Sequence, residues 1–344
     1  MVFSERSNMN IREKTELLET QYFSKLATLS SESLGRDVPI PECEMRTCFA
    51  RDRDRIIHTK SFRRLMRKTQ VFIRPEGDHY RTRLTHTLEV SQIARAIGKA
   101  LMINEDLIEA IALGHDLGHT PFGHAGERAL RRVSGSTFRH SDQSVRVVEK
   151  LEKDFTGLNL TKEVRDGIKN HSLSASPFTN EGRVVQLSDK IAYMNHDMDD
   201  AIRAGIMTED DFPARLREML GHTPSDRIDT LVKAVVAGSA EIVAMPEEIS
   251  KAFLEFRSFM FDRVYNHPAV KEEEQKAERM VEALYESYTQ SPDKLPPEYL
   301  AIAETDGIDR AVCDYISGMS DRFATGLFEE LFIPRSWGMF TIDS

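Results

Sequence analysis

The sequence has few of the features that mark secreted, membrane or disulfide-stabilised proteins. Only three cysteines occur among 344 residues, and Cys43, Cys48 and Cys313 have neither the even number of a disulfide framework nor metal-ligand spacing. No segment approaches the roughly 18 consecutive apolar residues of a transmembrane helix. The first residues, MVFSERSNMNIREKTE, are polar and charged, unlike a secretory signal. The composition therefore predicts a protein of the reducing cytoplasm that has no membrane partner.

The two common glycine-rich nucleotide-binding loops are also missing. Neither GxxxxGK[ST] nor GxGxxG occurs in the chain, so a P-loop kinase and a Rossmann fold have no support. Segments with strand alternation are scarce, whereas helical periodicity is frequent. In LTHTLEVSQIARAIGKAL the apolar residues recur every three to five positions and form a stripe beside His86. The members of this stripe are Leu84, Leu88, Ile93, Ile97 and Leu101.

Further helices are predicted on both sides of the middle of the chain. One lies in EDLIEAIALG, one starts near Ala125, one lies in SDQSVRVVEKLEKDF with Ser141 as N-cap, and one ends before Gly205. Residues 71–83 predict a loop or a short hairpin. Beyond Gly205 the segments AEIVAMPEEISKAFLEFRSFMFDRVYN and KEEEQKAERMVEALYESYTQ are amphipathic, and the proline-rich SPDKLPPEY separates them from the last helices. The pattern predicts an all-α fold.

Charge of both signs is abundant, but it is unevenly distributed. The formal net charge is −10, yet residues 46–83 contain twelve Arg or Lys side chains and only four acidic ones. An acidic protein with one basic strip neutralises few phosphates, which argues against long nucleic acid as a ligand. Single-stranded DNA remains an alternative ligand. The strip suits a compact polyanion such as a triphosphate in one cleft. We expect three or four of these cations to face a ligand and the rest to be solvated.

Two histidines and two aspartates have the composition of a metal site. His86, the adjacent His115 and Asp116, and Asp189 lie on or at the ends of predicted helices. Imidazole suits Zn, Fe and Ni, while carboxylate favours the harder Mn and Mg. Successive side chains on a regular helix diverge. Glycines at 114 and 118 flank the adjacent pair, and we expect them to permit the backbone conformations that turn both side chains to one ion.

This pattern resembles the metal signature of the HD-domain phosphohydrolase superfamily. The surrounding blocks narrow the resemblance to the bacterial dGTPase-like dNTP triphosphohydrolases. These blocks are RDRDRIIHTKSFRRLMRKTQVF, RTRLTHTLEVSQIAR, AIALGHDLGHTPFGHAGE, FRHSDQSVRVVE, LSDKIAYMNHDMDDA and DYISGMSDRFA. The helical pattern shows no clear linker, and we expect an N-terminal helical segment (1–45), an HD-domain core with the metal site (46–205) and a helical C-terminal extension packed on it (206–344). We expect these parts to form one structural domain.

The candidate catalytic residues follow the HD pair. His124 and Glu127 are three positions apart, so a helix would place them side by side. A carboxylate beside an imidazole raises its basicity, as in general acid/base histidines, but spacing alone fits a capping histidine and an exposed glutamate equally well. The resemblance implies the catalytic pair. It also implies that His140 lines the site and can act as the general acid, and that His119 contacts the phosphates or supports the metal ligands.

The candidate substrate-binding residues are cations and polar groups around the metal set. Arg83 lies one helical turn before His86, and Lys190 follows Asp189 directly. Arg53 is a third candidate, for which a surface salt bridge with Asp54 or Asp52 is an equal alternative. By resemblance, Gln70 lies near the nucleoside. Tyr193 and Asp197, spaced i+4 and i+8 from Asp189, resemble the pair that closes the space beside C2′ and binds the sugar 3′-hydroxyl.

The function implied is metal-dependent hydrolysis of a dNTP, of the dGTP type, to deoxynucleoside and tripolyphosphate. A divalent metal is the expected cofactor, with Mn or Mg favoured and Ni, Fe or Zn as alternatives. Family members form dimers, tetramers and hexamers, so a homo-oligomer is expected. The alternatives are a nucleotide-sensing or single-stranded nucleic-acid-binding HD protein, and an HD phosphohydrolase acting on another nucleotide. The sequence lacks the Glu-Asp dyad of alarmone hydrolases and the GYP motif of cyclic-dinucleotide phosphodiesterases.

Overall fold

The computed structural model describes residues 9–70, 72–73, 80–135 and 137–334, and in these ranges the fold is all-α. The helices, labelled in chain order, are α1 (Ile11–Tyr22), α2 (Cys48–Ile57), α3 (Lys60–Arg64), α4 (Arg83–Leu101), α5 (Glu105–Gly114), α6 (Gly123–Val133), α7 (His140–Arg146), α8 (Lys162–Lys169), α9 (Asn180–Arg203), α10 (Ala214–Leu220), α11 (Pro224–Gly238), α12 (Glu247–Met260), α13 (Pro268–Gln290), α14 (Pro297–Asp306), α15 (Ile308–Ser317) and α16 (Asp321–Phe332). Short 3-10 turns (Ser30–Glu32, Leu65–Arg67, Glu209–Asp211 and Pro292–Lys294), two π-helical turns (Val147–Leu151 and Phe261–Tyr265) and one four-residue helical segment (Glu152–Phe155) connect or extend them.

Two long helices, α4 and α9, carry several of the predicted site residues. α4 begins with a capping box, in which the Thr82 hydroxyl accepts a hydrogen bond from the Thr85 N–H and the Thr85 hydroxyl accepts one from the Thr82 N–H. The hydroxyl of Thr179 caps α9 by accepting from the N–H of Gly182. The two helices pack along each other, so residues on their facing sides converge.

Close glycine contacts bring α5 against α8. A Cβ atom at Gly114, the last residue of α5, would lie 2.4 Å from Cδ1 of Ile168, and one at Gly167 would lie 2.4 Å from Cδ1 of Ile111. A side chain at either position would force a buried isoleucine to move, so the two glycines allow the end of α5 to pack closely against α8. His115 follows directly and keeps helical dihedral angles.

Buried apolar side chains form two clusters. The first core contains residues of α2, α4, α5, α8 and α9 and continues through α10–α12 to Val264. The second core is built from α6 and α13–α16, where Ala125 and Leu130 join Val281 and Leu284. The predicted extension 206–344 is therefore divided between the two cores. α6 belongs to the second core, although its neighbours in sequence belong to the first.

Two predictions about the fourth predicted helix are wrong. Ser141 is not its N-cap, because α7 begins at His140 and no side chain caps it. The helix also does not run as one regular helix to residue 155, although a helical segment is assigned at Glu152–Phe155. It passes into the π-helical turn at Val147–Leu151, and Lys153 then has a left-handed backbone with φ 55°.

Other predicted boundaries differ only slightly from the structure. α6 begins two residues before Ala125, and Leu88 is exposed on the outer side of α4 instead of joining the apolar stripe. Much of the predicted loop 71–83 lies outside the described residues. At its base an isolated antiparallel bridge joins Thr69 and Thr82. No helix within the described ranges is long and apolar enough to cross a membrane.

Candidate active site

The structure brings the two predicted histidines and two predicted aspartates together inside the first core. Nε2 of His86 lies 3.1 Å from Oδ1 of Asp189. Nε2 of His115 lies 3.6 Å from Oδ1 of Asp116 and 3.8 Å from Oδ1 of Asp189. All four side chains are buried. We call this set the His/Asp cluster.

The glycines beside His115 act differently from the sequence-based expectation. Gly114 and Gly118 have no positive φ, so unusual dihedral angles are not what they provide. A Cβ atom at Gly118 would lie 2.2 Å from the backbone nitrogen of Ser144, just as one at Gly114 would overlap α8. Gly118 is required by its contact with this backbone, and Gly114 allows the close approach of Ile168, so close packing holds His115 and Asp116 in place.

The donor atoms of the His/Asp cluster fit a divalent metal. Nδ1 of His115 lies 2.7 Å from the carbonyl oxygen of Ala112, to which it donates, so Nε2 carries the lone pair. That Nε2 is buried without a hydrogen-bond partner and faces the two carboxylates. An imidazole in this tautomer can bind a metal through its unprotonated nitrogen. One donor from each of His86, His115 and Asp116 lies within 4.8 Å of the others.

Two cations complete the surroundings of the carboxylates. Nη1 of Arg83 donates to Oδ2 of Asp116 at 2.6 Å, and Nζ of Lys190 donates to Oδ2 of Asp189 at 2.5 Å. Burial raises the pKa of Asp189, but Lys190 and His86 outweigh burial and hold the pKa well below its usual value. The carboxylate is therefore ionised across the neutral pH range.

A second group of polar residues, which we call the His/Glu cluster, lies at the start of α6 and α7. It consists of His119, His124, Glu127 and His140. Oε2 of Glu127 lies 3.5 Å from Nδ1 of His124 and 2.8 Å from Nδ1 of His140. The rings of His119 and His140 stack with centroids 4.4 Å apart and planes 13° apart. His124 is 67% exposed, whereas the other three side chains are mostly or fully buried.

Hydrogen bonds connect His140 of this cluster to His171 and to Glu127. Nδ1 of His171 lies 2.7 Å from the carbonyl oxygen of Ile168, to which it donates, so its Nε2 accepts a bond from Nε2 of His140 at 3.0 Å. Nδ1 of His140 faces the Glu127 carboxylate on the other side of the ring. Burial raises the pKa of Glu127, but hydrogen bonds from His124 and His140 outweigh burial and lower it. An ionised Glu127 thus lies against the imidazole rings of His124 and His140.

Comparison with known proteins assigns the family. The HD domain family model matches residues 83–194, and that of the phosphohydrolase-associated domain matches residues 243–330. A deoxyguanosinetriphosphate triphosphohydrolase-like protein of Caldanaerobacter subterraneus is 55% identical over 331 residues, which are 96% of this chain and 98% of that protein. The chain belongs to this family of HD-domain proteins. A relative from Clostridium perfringens is 52% identical over 338 residues, 95% of this chain and 99% of that protein.

The predicted fold and family are therefore confirmed. A solved phosphohydrolase structure from Bacteroides thetaiotaomicron superposes with a TM-score of 0.50 at 18% identity, covering 83% of this chain and 68% of that one, and shows the same fold. The HD-domain match includes the whole His/Asp cluster and the whole His/Glu cluster. Residues of the phosphohydrolase-associated match also contact residues beside these clusters.

Tyr193 and Asp197 lie on successive turns of α9 beyond Asp189, as the spacing predicts. The Tyr265 hydroxyl, from the phosphohydrolase-associated part, donates to Oδ2 of Asp197 at 2.7 Å, while Oδ1 of Asp197 is buried without a partner. Nζ of Lys190 lies 5.3 Å from the centre of the Tyr193 ring. Tyr265 was not predicted, because no local spacing links it to α9.

The two remaining predicted substrate-binding residues, Gln70 and Arg53, lie in different places: Gln70 contacts Arg83 beside the His/Asp cluster, and Arg53 does not. The carbonyl oxygen of Gln70 accepts a bond from Nη2 of Arg83 at 3.5 Å, and the amide oxygen of Gln70 is buried without a partner. The structure does not bring Arg53 to either cluster. Its guanidinium pairs with Asp54 at 3.1 Å and Asp106 at 2.6 Å, which is the salt-bridge alternative.

An unpredicted tether joins the His/Glu cluster to the C-terminal helices. Oδ1 of Asp321, the first residue of α16, accepts from the N–H of Phe122 at 2.9 Å, and its Oδ2 accepts from the Thr69 N–H at 2.9 Å. Nζ of the buried Lys68 donates to the carbonyl oxygens of His119 and Ser317, the latter at 2.8 Å. Phe122 has the unfavourable φ of 60°, so these bonds hold the turn that precedes His124.

We expect the Asp197→Asn variant to gain stability relative to the wild type as the pH rises. Burial raises the pKa of Asp197 to about 8, although the Tyr265 hydroxyl opposes this. The carboxyl is protonated in the folded chain and ionised in the unfolded chain between its ordinary pKa of about 4 and about 8. Its contribution is intact below about pH 4 and is lost as the pH rises to about 8.

Thermal unfolding of both proteins, without metal, at about pH 5 and about pH 8 measures this effect. The Tm difference should shift in favour of Asp197→Asn at the higher pH. Asp199→Asn, on the same helix and more exposed, is the matched control. A Tm difference that is equal at both pH values would contradict the raised pKa.

Proposed function

We propose that this protein is a divalent-metal-dependent phosphohydrolase that cleaves dNTPs, of the dGTP type, to deoxynucleoside and tripolyphosphate. The observation that carries the proposal is the adjacency of a buried, metal-fitting His/Asp cluster to a His/Glu cluster in which Glu127 contacts two imidazoles. The names of the relatives, which are deoxyguanosinetriphosphate triphosphohydrolase-like proteins, support the choice of substrate. Hydrolysis of this kind breaks the bond between the α-phosphorus and the 5′-oxygen.

The His/Asp cluster would hold the divalent ion through His86, His115, Asp116 and Asp189. The chemistry that such an ion supplies is polarisation of a phosphoryl oxygen and activation of a water molecule. Arg83 and Lys190 bind the two carboxylates on their outer oxygens and are placed to neutralise phosphate charge. Phosphoryl transfer depends mostly on such positioning and charge neutralisation.

Proton transfer is assigned to the His/Glu cluster. The oxygen of water adds to the α-phosphorus, and the leaving 5′-oxygen must gain a proton to become the free deoxynucleoside. His124 is the exposed member of the cluster and is placed to deliver that proton. Glu127 touches both His124 and His140, so it can orient both rings.

The sugar is assigned to the space beside α9. Asp197 has one unpartnered buried oxygen, which suits a hydrogen bond with the 3′-hydroxyl. The Tyr193 ring, one turn closer to Asp189, would pack against C2′ and leave no room for a 2′-hydroxyl. This arrangement favours deoxynucleotides over ribonucleotides.

Product analysis tests the proposal. The protein is incubated with each dNTP and with GTP in the presence of Mn²⁺ or Mg²⁺, and tripolyphosphate is separated from pyrophosphate and phosphate. We expect deoxynucleoside and tripolyphosphate in equal amounts, and kcat/KM for dGTP at least about tenfold above that for GTP, as lost or clashing polar contacts usually cost. Release of pyrophosphate, or equal rates on dGTP and GTP, would refute the proposal.

A further inference from the structure

Among the described residues, the His/Glu cluster brings more metal-capable donors within reach of one another than the His/Asp cluster does. Three donors of that cluster lie within 4.8 Å of one another, whereas four residues of the His/Glu cluster satisfy the same distance. These four residues are His119, His124, Glu127 and His140. Three imidazoles and one carboxylate make a complete donor set for a four-coordinate ion.

Two donors of the His/Glu cluster, His119 and Glu127, are in the states that metal binding needs. His119 is fully buried and its Nδ1 has no hydrogen-bond partner, which is costly unless another group uses the ring. Burial and the nearby Arg83 hold the pKa of His119 well below its usual value, so the ring is neutral. Glu127 is ionised, and its Oε2 lies within 3.5 Å of two imidazole nitrogens.

We propose that the His/Glu cluster is a second divalent metal site, selective for transition metals and inhibitory when occupied. Three imidazole ligands favour Zn²⁺, Ni²⁺ or Cu²⁺ over Mg²⁺ and Mn²⁺, which prefer oxygen. The ion takes the Nδ1 lone pair of His140 in place of any proton there, which passes to solvent, because metal ligands must be deprotonated. The inhibitory role rests on the proposed function, in which this cluster transfers a proton.

The two clusters are adjacent in space, but they differ in ligand type. Asp116, His140 and His171 form a third overlapping group, which links the His/Asp cluster to the His/Glu cluster. The ion proposed at the His/Asp cluster has two carboxylate ligands and accepts hard cations. The second site has one carboxylate and discriminates against them. The choice of metal therefore separates the sites experimentally.

Metal binding to the full chain tests the proposal without any measurement of activity. The chelator-treated protein is titrated with Co²⁺ while visible absorption is recorded, and bound Zn²⁺ is counted after equilibrium dialysis. We expect two Zn²⁺ per chain in the wild type and one in Asp189→Asn, which retains the His/Glu cluster. His124→Ala and His140→Gln should each weaken the second site at least about tenfold, as loss of a metal-site group does.

Controls keep the interpretation specific. His222→Ala removes an exposed histidine far from α6 in sequence and should still bind two ions. Circular dichroism checks that each variant is folded, and His124 is exposed, so its replacement leaves the cores intact. One Zn²⁺ per wild-type chain, or two in His124→Ala and His140→Gln at unchanged affinity, would overturn the second site.

Hydrolysis of dGTP by the wild type with Mn²⁺ is then followed while Zn²⁺ is added. The rate should fall over the same range in which the second ion binds. Unchanged or faster hydrolysis at two-ion occupancy would overturn the inhibitory role. A protein that binds two ions but never hydrolyses dNTPs would refute the proposed function and leave the second site standing.

Discussion

The Asp189→Asn variant should lose the metal of the His/Asp cluster and, with it, all measurable dNTP hydrolysis. Asp189 is the residue whose Oδ1 lies within 3.8 Å of both His86 and His115, so it joins the two imidazoles into one site. Asparagine keeps the shape and removes the charge that a divalent ion requires. Because Lys190 then loses its ion-pair partner, its buried ammonium adds repulsion against the cation.

Metal content after dialysis against Mn²⁺ and turnover of dGTP measure this result together. The control is Asp199→Asn, which changes an aspartate on the same helix that pairs with Arg81 and Arg203. It should keep wild-type metal content and rate. An Asp189→Asn protein with a full complement of metal at the His/Asp cluster would show that Asp189 is not a ligand.

Replacing His124 by alanine should lower kcat for dNTP hydrolysis at least about 100-fold, the usual scale for a general acid or base, with little change in KM. The side chain is exposed at the start of α6, so its loss costs little stability. Glu127→Gln should also lower kcat, since a neutral amide holds the two imidazoles less well.

His222→Ala is the control for the loss of one histidine. A pH–rate profile adds a measurement that a merely structural effect would not change, because removal of a proton donor alters the shape of the profile. If His124→Ala retains nearly normal kcat while His140→Gln does not, the proton transfer belongs to His140. If both retain it, the His/Glu cluster has no catalytic role.

The helical class and the family could be predicted from the sequence because both depend on short spacings. Apolar periodicity places α4, α5 and α9, and the distances between His86, His115 and Asp189 in sequence are characteristic of the family. Single positions were less predictable. Leu88 has the spacing of a core residue, but its position on α4 is solvated, since no other element packs over it closely enough to bury it.

The contacts that complete the site could not be predicted from the sequence, because their partners are far apart along the chain. Tyr265 meets Asp197 across 68 residues, and Asp321 meets Phe122 across 199 residues. No local pattern encodes such a pair. Lys68 looked like one more solvated cation of the basic strip, although burial lowers its pKa to about 7 and two carbonyl oxygens hold it.

Because the interior is divided into two cores, we do not expect the HD-domain segment to work when it is separated from the rest of the chain. His86 and Asp189 are held by the first core, whereas His124 and Glu127 are held by α6, which packs on α13 in the second core. A protein reduced to residues 83–194 would keep every candidate metal ligand. It would lack the surface that holds α6 and the Asp321 carboxylate that holds Phe122. The phosphohydrolase-associated part thus forms one wall beside the same site, and the HD-domain segment depends on it for the position of α6.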